Sequence, residues 1–483
     1  MTIRLAASIN FGASAAVLVL EILAGRLLAP YVGVSLETFT GIIGTVLAGI
    51  ALGSAVGGRM ADKLGAARLL GPTLVLGGLL AFLAVPIVSA LGPSADGSSG
   101  SIVLLTFAGF FLPAAVLSAV SPMVAQLVLD DLEETGSVIG GLSAAGTAGA
   151  LFGTFVTGFL LVSSAPTRPV IVGVAAALCV VGFLLWVRLG GGLPGKEGKP
   201  GVLMVAMVGM SALAGIAAPS SCDTETGYSC VQVVEDPDRR SGRLLVLDTS
   251  RHSYVDIEDP THIEFRYLRL FTSVISEIDT PDGLDTLHIG GGGFTLPQWM
   301  AATNPEANSL VLEIDAQLVD IVEAELGLVI NDRLQVRTGD ARITIRALSD
   351  ASQDLVVGDA FSGMTVPWHL TTAEFAEEIQ RVLRPEGVYV LNLIDGIEND
   401  FGRSELATLR SVFANVAVVV PSDDRLSRAA VNQVLIASDA PLRAIDFDPA
   451  DGVLIPDDEV DAFIDGAKIL TDDWAPVDQL RNR

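Results

Sequence analysis

The sequence predicts a multi-pass α-helical membrane domain of about seven helices, then a β-hairpin region, then a doubly wound α/β domain. Half of the 483 residues are hydrophobic, and the formal net charge is −27. Residues 1–220 hold nine basic and nine acidic side chains, so the whole net charge belongs to the rest of the chain. In that acidic part, short apolar stretches alternate with helical patterns, which favours a parallel sheet. We expect domains at 1–220, 221–280 and 281–483.

The first part contains seven apolar stretches close to the roughly 20 residues that cross a bilayer. They lie at 5–26, 38–58, 69–90, 101–128, 137–163, 168–188 and 201–218. The amino terminus and the even-numbered loops carry seven Lys and Arg residues, whereas the alternate loops carry only Arg26 and Arg168. Because basic loops stay cytoplasmic, this count predicts a cell-membrane protein whose acidic domain lies outside the cytoplasm.

Small residues recur every four positions in two of these stretches. Gly49, Gly53 and Gly57 share one helix face, and Gly149 and Gly153 share another. We interpret this spacing as close helix packing rather than as part of a transport path.

Two further features near the ends of the apolar stretches are ambiguous. Glu21 is either a polar site inside the bundle or the partner of Arg26 near the membrane surface. Cys222 and Cys230 bracket a polar segment and predict a disulfide in an oxidising compartment, although two free thiols are the alternative. No His or further Cys accompanies the pair, so the sequence predicts no metal site.

The acidic part begins with a predicted hairpin, 231–236 and 243–248, and a helix that ends before Asp279. Predicted strands follow near 285–290, 309–314, 333–337, 354–359, 387–394, 414–420 and 432–437. Predicted helices lie near 295–304, 316–327, 371–384 and 402–413.

The first of these strands ends in four glycines, Gly290, Gly291, Gly292 and Gly293. A turn without side chains lets a ligand approach the backbone closely. The turn is not a dinucleotide GxGxxG motif, because Thr295 occupies the last glycine position, and no P-loop lysine follows.

Acidic residues stand where the next three strands end: Glu313 and Asp315, then Asp340, then Asp359. Ligands in open α/β sheets bind at these carboxyl ends, and an acidic residue about 20 positions after a glycine turn is placed to bind a ribose. A single Asp at such a position is more often a helix cap. The repetition on consecutive strands favours a nucleoside site.

At this point the chain resembles the spermidine synthase family of polyamine aminopropyltransferases, and more closely its membrane-fused relatives. The similarity is carried by EILAGRLLAPYVG (21–33), LAGIALGSAVGGRMAD (47–62), HIGGGGFTLP (288–297) and LTDDWAPVDQL (470–480). The resemblance implies a Rossmann domain of the methyltransferase type and a co-substrate, either decarboxylated S-adenosylmethionine or S-adenosylmethionine. It implies that Glu313 holds the ribose, Asp340 and Ala341 the adenine edge, and Asp359 the attacking amine.

The chain departs from this family at the substrate side. Gly293 and Ser362 stand where soluble synthases have Asp, His252 stands roughly where they have Gln, and their Tyr-His-Glu becomes Tyr267-Leu268-Arg269. We expect the substrate contacts to come from His252, Tyr254, Ser362, Asp472 and Asp473.

These residues predict a membrane-anchored aminopropyltransferase with a lipid bilayer and a small cationic amine as partners. The alternatives are a methyltransferase acting on a small or lipid-linked acceptor, and a non-catalytic nucleoside or polyamine sensor coupled to a membrane carrier. Nucleic acid is excluded as a partner by the missing basic face; a homodimer stays open. Because such nucleoside donors are made in the cytosol, donor supply favours the opposite orientation of the acidic domain.

Overall fold

The computed structural model describes residues 1–129, 135–189, 199–278, 283–361, 363–396, 398–421 and 431–481. The chain divides into two compact units, Met1–Cys230 and Val231–Arg483.

The first unit is helical apart from one short strand. Its elements are α1 Ile3–Val32, α2 Leu36–Leu64, α3 Ala66–Leu91, α4 Ser99–Thr106, α5 Leu112–Ser118, α6 Val120–Gln126, α7 Thr135–Val156, α8 Val162–Ser164, α9 Thr167–Arg188, α10 Lys199–Ala217 and β1 Thr224–Glu225. Two π-helical turns, Phe107–Phe111 and Thr157–Leu161, continue α4 into α5 and α7 into α8.

Within the described residues, six helices are long and apolar enough to cross a membrane. They are Ile3–Val32, Leu36–Leu64, Ala66–Ser94, Ser99–Gln126, Gly136–Ser164 and Thr167–Arg188. The seventh predicted stretch falls in α10, where the apolar helix Ala206–Ala217 is shorter than the others. The expected number of about seven spans is therefore not confirmed.

The glycines at four-residue spacing are packing positions, as their spacing predicts. A Cβ at Gly53 would stand 1.8 Å from the carbonyl oxygen of Ala115, and one at Gly57 would stand 2.5 Å from the Cβ of Ala119. A Cβ at Gly149 would meet the Phe11 carbonyl oxygen of α1 at 2.1 Å. Since no side chain fits there, the absence of one is what permits these helix crossings.

The segment that follows α10 is tied to helix ends within the same unit. Arg26 forms an ion pair with Glu225 at 2.9 Å and also donates to the carbonyl of Gly227. Arg168 donates to the carbonyls of Ala218 and Pro219. Of the two interpretations of Glu21, the ion pair with Arg26 is not present in the structure, because the Arg26 guanidinium binds Glu225 and the Gly227 carbonyl instead.

The predicted disulfide between Cys222 and Cys230 is present and closes the same segment. The alternative of two free thiols does not apply to this structure.

The second unit contains a small sheet and a large one with helices. Its elements are β2 Cys230–Glu235, β3 Gly242–Leu247, β4 Ser250–Asp256, α11 Arg266–Ser276, β5 Asp285–Ile289, α12 Thr295–Thr303, β6 Asn308–Glu313, α13 Ala316–Glu325, β7 Leu334–Thr338, α14 Ala341–Thr344, β8 Gln353–Gly358, α15 Ala373–Val382, β9 Leu383–Asp395, α16 Asp400–Val412, β10 Asn415–Val420, β11 Val431–Ser438, β12 Val453–Leu454, α17 Asp457–Ile464 and α18 Val477–Arg481. Strands β2, β3 and β4 pair antiparallel in sequence order.

The large sheet has the strand order β12-β10-β11-β9-β8-β5-β6-β7. Strands β5 to β9 are parallel, as the sequence predicts, but β11 runs antiparallel to both β9 and β10. The sheet is therefore mixed, and the parallel arrangement that the sequence favours applies to β5 to β9. Only ten residues separate β10 from β11, which is too short for the crossover that a parallel pair requires.

Apolar cores cover both faces of this sheet, so the fold is doubly wound. Leu287, Ile289 and Leu391 belong to one core, with helices α15 and α16. Leu355 and Val390 belong to the other core, with helices α11 and α12. Burial on both faces explains why these strands are almost continuously apolar, and why a polar residue within them is informative.

We predict that Gly53→Ala destabilises the first unit, because even a methyl group collides with the Ala115 backbone. Gly44→Ala is the matched control, since Gly44 lies in the same helix and a Cβ there would have no atom within 4 Å. Thermal unfolding of the detergent-solubilised protein, followed by tryptophan fluorescence, should show a midpoint several degrees lower for Gly53→Ala only. Equal midpoints for both variants would contradict the packing interpretation.

Candidate active site

The glycine turn lies between β5 and α12 and requires unusual backbone conformations. Gly290 and Gly292 have φ values of 90° and 51°, a region that favours glycine. A Cβ at Gly290 would stand 2.5 Å from the carbonyl oxygen of Asp359, so the turn passes directly over the end of β8. A Cβ at Gly293 would stand 2.6 Å from that of Ser253 on β4. The turn is thus enclosed by backbone and by β4.

Glu313, at the end of β6, holds this turn. Its side chain is 6% exposed, and one carboxylate oxygen accepts from the amides of Gly291 at 2.8 Å and Gly292 at 3.3 Å. The other oxygen accepts from the amide of Asp315 at 2.9 Å. Burial raises the pKa of Glu313, and the backbone amides oppose that shift. Three of about four acceptor positions are occupied, so a bound ribose hydroxyl would share or replace these amides.

Asp315 and Asp340 act as helix caps. The Asp315 carboxylate accepts from the amides of Gln317 and Leu318 at the start of α13. The Asp340 carboxylate accepts from the amide of Arg342 at the start of α14, where the backbone of buried Ala341 follows. Asp340 keeps a partly exposed carboxylate, whose second oxygen lies 3.4 Å from Nε2 of His369. Asp340 is therefore better placed than Asp315 to bind the adenine edge of a nucleoside.

Asp359 has different partners. Its carboxylate accepts from the Tyr267 hydroxyl at 3.0 Å and from the Asn392 amide at 2.8 Å. Among the described residues that follow Asp359, the first helical segment is a short 3₁₀ turn at Trp368–Leu370. Desolvation raises the pKa of Asp359 from its ordinary value of 3.8 to about 6, although both hydrogen bonds lower it. This carboxyl group therefore changes charge close to neutral pH.

Asp359 lines a pocket of about 540 Å³. The walls come from β4, the start of α11, and the ends of β8, β9 and β11, and they include apolar Phe265, Leu270 and Ile394. Asp451 also lines the pocket, but Arg269 holds its carboxylate in an ion pair at 2.5 Å. The hydrogen bonds that Asp359 accepts come from uncharged side chains, whereas Asp451 is paired with Arg269.

His252 links the pocket to the glycine turn. Its ring lines the pocket, and the same ring lies 2.8 Å from where a Cβ of Gly292 would be. Desolvation lowers the pKa of His252 to about 4, so the imidazole is neutral at pH 7. A neutral imidazole here donates or accepts a hydrogen bond without adding charge beside a cationic ligand.

Three other predicted substrate residues are not brought to this pocket. The Tyr254 hydroxyl donates to Asp236 at 2.6 Å within the small sheet. Asp472 accepts from Arg342 at 2.6 Å and from Thr372 at 2.8 Å, which ties the C-terminal segment to α14. Asp473 is exposed next to it. Ser362 lies outside the described residues.

Two residues of the pocket and one beside the glycine turn are not among the site residues that the sequence predicts. Asn392 and Asn432 line it, and Asn392 is 2% exposed. Ser253 accepts from the amide of Gly293 at 2.9 Å. An asparagine within each of two largely apolar strands was the available signal, since buried amides need partners.

Taken together, a glycine turn, a strand-end glutamate and a desolvated strand-end aspartate beside one pocket are typical of a nucleoside-binding α/β protein. Comparison with known proteins agrees with this class. The chain is 31% identical over 190 residues to the polyamine aminopropyltransferase of Vibrio vulnificus strain CMCP6, which covers 38% of this chain and 62% of that protein. It is 25% identical over 193 residues to the polyamine aminopropyltransferase of Chromobacterium violaceum, which covers 40% of this chain and 71% of that protein.

Among solved structures, a probable spermidine synthase from Corynebacterium glutamicum matches with a TM-score of 0.50 and 26% identity. The match covers 54% of this chain and 99% of that one. No family model matches the chain. This protein is therefore spermidine synthase-like, although the alignment spans less than two thirds of the Vibrio enzyme.

We predict that Glu313→Gln weakens nucleoside binding at least tenfold. A glutamine has one acceptor oxygen instead of two, so it loses charge-assisted bonds worth roughly 1.5–3 kcal/mol each and opens the glycine turn. Glu323→Gln, on the exposed side of α13, is the matched control. Calorimetry with methylthioadenosine measures the difference. Equal affinities in folded variants would mean that Glu313 contributes nothing to the nucleoside site.

Proposed function

We propose that the second unit transfers an aminopropyl group from decarboxylated S-adenosylmethionine to a small amine. The observation that carries this proposal is Asp359, a desolvated carboxylate held by Tyr267 and Asn392 in a pocket beside the glycine turn. The similarity to polyamine aminopropyltransferases supports it.

The chemistry asks little of the protein apart from position and one proton acceptor. The amine nitrogen attacks the propyl carbon next to the sulfonium, the new C–N bond forms, and the C–S bond breaks. Methylthioadenosine leaves as a neutral thioether, so it needs no general acid. The amine is an ammonium ion in solution and must lose a proton before its nitrogen can attack. The ionised Asp359 carboxylate attracts the ammonium and then accepts that proton.

A methyltransferase is the second candidate, and one contact favours it. Ser253 fills the space beside Gly293, so a side chain such as the aspartate of soluble synthases has no room there. The group that would hold the amine of an aminopropyl donor is thereby missing. The eEF1A lysine and N-terminal methyltransferase of Danio rerio is also 29% identical over 148 residues, 29% of this chain and 21% of that protein. Methyl transfer needs the same in-line geometry with S-adenosylmethionine as donor.

The first unit anchors the protein in a membrane, with the second unit on the extracytoplasmic side. The segment after α10 contacts the ends of α1 and α9 through Arg26 and Arg168. These are the two basic residues of the loops that carry few Lys and Arg. The described chain of the first unit ends in this segment, at Cys230. The Cys222–Cys230 disulfide, which belongs to an oxidising compartment, lies in this segment too. The orientation therefore does not depend on whether α10 is counted as a span.

We predict that Asp359→Asn lowers turnover by roughly 10²–10⁴ while nucleoside binding persists. The amide keeps the shape of the side chain but neither attracts the ammonium nor accepts its proton. Asp320→Asn, on the exposed face of α13, is the matched control. Turnover is measured as methylthioadenosine release. A folded Asp359→Asn variant with unchanged turnover would contradict the proposal.

The wild-type activity should rise with pH through about 6 and then level off, because only ionised Asp359 accepts the proton. Stability should change in the opposite direction. A carboxyl group whose pKa is raised in the folded protein stabilises the fold below its ordinary pKa of 3.8, and this contribution is lost as pH rises through about 6. Asp359→Asn should therefore unfold at the same or a higher temperature than wild type at pH 8. A lower midpoint at pH 8 would contradict the assigned desolvation.

Membrane orientation is tested by cysteine labelling in intact cells. Ser94→Cys places a thiol near the end of α3, and Leu64→Cys places one at the opposite end of the unit; both positions are exposed. A membrane-impermeant maleimide should label Ser94→Cys in intact cells and Leu64→Cys only after the cells are opened. The reverse pattern would contradict the orientation.

A further inference from the structure

A row of polar side chains crosses the strand ends of the large sheet next to Asp359. Asn392 lies on β9 and donates its amide to one Asp359 carboxylate oxygen at 2.8 Å. Asn432 lies on β11 and donates its amide to the Asn392 side-chain oxygen at 2.9 Å. Asp359, Asn392 and Asn432 therefore form a chain of two hydrogen bonds across three neighbouring strands, and all three line the pocket.

The register of the sheet makes this row a consequence of the fold. Asn392 is paired with Val434 on the antiparallel strand β11. Asn432 stands two residues before Val434, so it projects from the same face of the sheet as Asn392 and reaches it diagonally. The next residue, Gln433, projects from the opposite face and donates to Asn399 at 2.5 Å.

The row also fixes which way the Asn392 amide points. An ionised carboxylate only accepts hydrogen bonds, so Asn392 must turn its NH₂ group towards Asp359. Its carbonyl oxygen then points to β11, where 2% exposure leaves it dependent on a protein donor. Asn432 supplies that donor. If the Asn392 amide turned over, its oxygen would face Asp359 and repel the charged form.

We infer that Asn392 and Asn432 are positioning residues of the transfer site: Asn432 fixes the orientation of the Asn392 amide, and that orientation holds the Asp359 carboxylate ready for the incoming amine. The catalytic meaning of this inference rests on the proposed function, because it assumes that Asp359 accepts the proton of an amine. The effect of Asn392 and Asn432 on the charge state of Asp359 does not rest on the proposed function.

Other ionisable groups lie near Asp359, but they do not take the role of Asn392 and Asn432. Tyr267 contacts it directly, and its own pKa is raised well above the usual value by burial and by the Asp359 charge. The remaining charged or titratable side chains that line the pocket are Arg251, His252, Glu264, Arg266 and Asp451. The groups that favour the ionised carboxylate by hydrogen bonding are Asn392 and Tyr267.

The test is a double-mutant cycle read by infrared titration of the full chain in detergent. The C=O band of protonated Asp359 is identified by its absence in Asp359→Asn, and its titration gives the pKa without any turnover. Asn392→Ala removes the donor to the carboxylate and should raise that pKa by roughly one unit. Asn432→Leu should raise it by a smaller amount, because the Asn392 amide is no longer held.

If Asn432 acts through Asn392, the double variant should match Asn392→Ala alone. Gln433→Leu is the matched control, on the same strand but the opposite face, and should leave the pKa unchanged even where it lowers stability. Circular dichroism checks that each variant is folded. An unchanged pKa in Asn432→Leu, or shifts that add in the double variant, would overturn the inference.

The pH dependence of turnover separates this inference from the proposed function. The acid limb of the profile should move upwards with the infrared pKa in Asn392→Ala and Asn432→Leu. Wild-type protein that turns over neither donor, with the infrared shifts intact, would refute the proposed function and leave the positioning role standing. Turnover of the aminopropyl donor with no infrared shift in the variants would refute the positioning role and leave the proposed function standing.

Discussion

Desolvation of one carboxylate is the constraint around which this site is arranged. Asp359 follows β8 at the point where β5 turns into α12, and the glycine turn passes over its backbone at a distance that excludes any Cβ. Removing water from Asp359 brings its pKa to about 6, and hydrogen bonds from Tyr267 and Asn392 keep it from rising further. A group balanced in this way both attracts a cation and accepts a proton near neutral pH, which is what an amine nucleophile requires.

Much of the second unit could be predicted from its sequence, because β5 to β9 are mostly apolar and each ends at or next to a glycine or an acidic residue. The strand ends, the glycine turn and Asp359 follow from that pattern. The antiparallel β11 did not, since an apolar run carries no sign of strand direction. Tyr254 and Asp472 do not line the pocket, because they bind Asp236 and Arg342, and the sequence pattern does not reveal these partners. Asn392 and Asn432 become meaningful only once the register of β9 and β11 is known.

The helical unit was predictable to a different degree. Length and hydropathy identify the long helices, and glycine spacing identifies where they cross, because close approach requires the absence of side chains. The partner of Arg26 was not predictable, since Glu225 lies far along the chain, beyond α10. Arg26 and Arg168 are the two basic residues in the loops that carry few Lys and Arg, and both bind the segment that follows α10. The Cys222–Cys230 disulfide lies in the same segment. The uneven charge between the two ends of the unit is the basis of the proposed orientation.

The identity of the transferred group tests the central claim most directly. The purified full chain, incubated with a diamine and an equal mixture of decarboxylated and ordinary S-adenosylmethionine, is followed by mass spectrometry of both the nucleoside and the amine. Aminopropyl transfer predicts methylthioadenosine together with an amine heavier by one aminopropyl group. Formation of S-adenosylhomocysteine and a methylated acceptor instead, with no methylthioadenosine, would contradict the account and assign the site to methyl transfer.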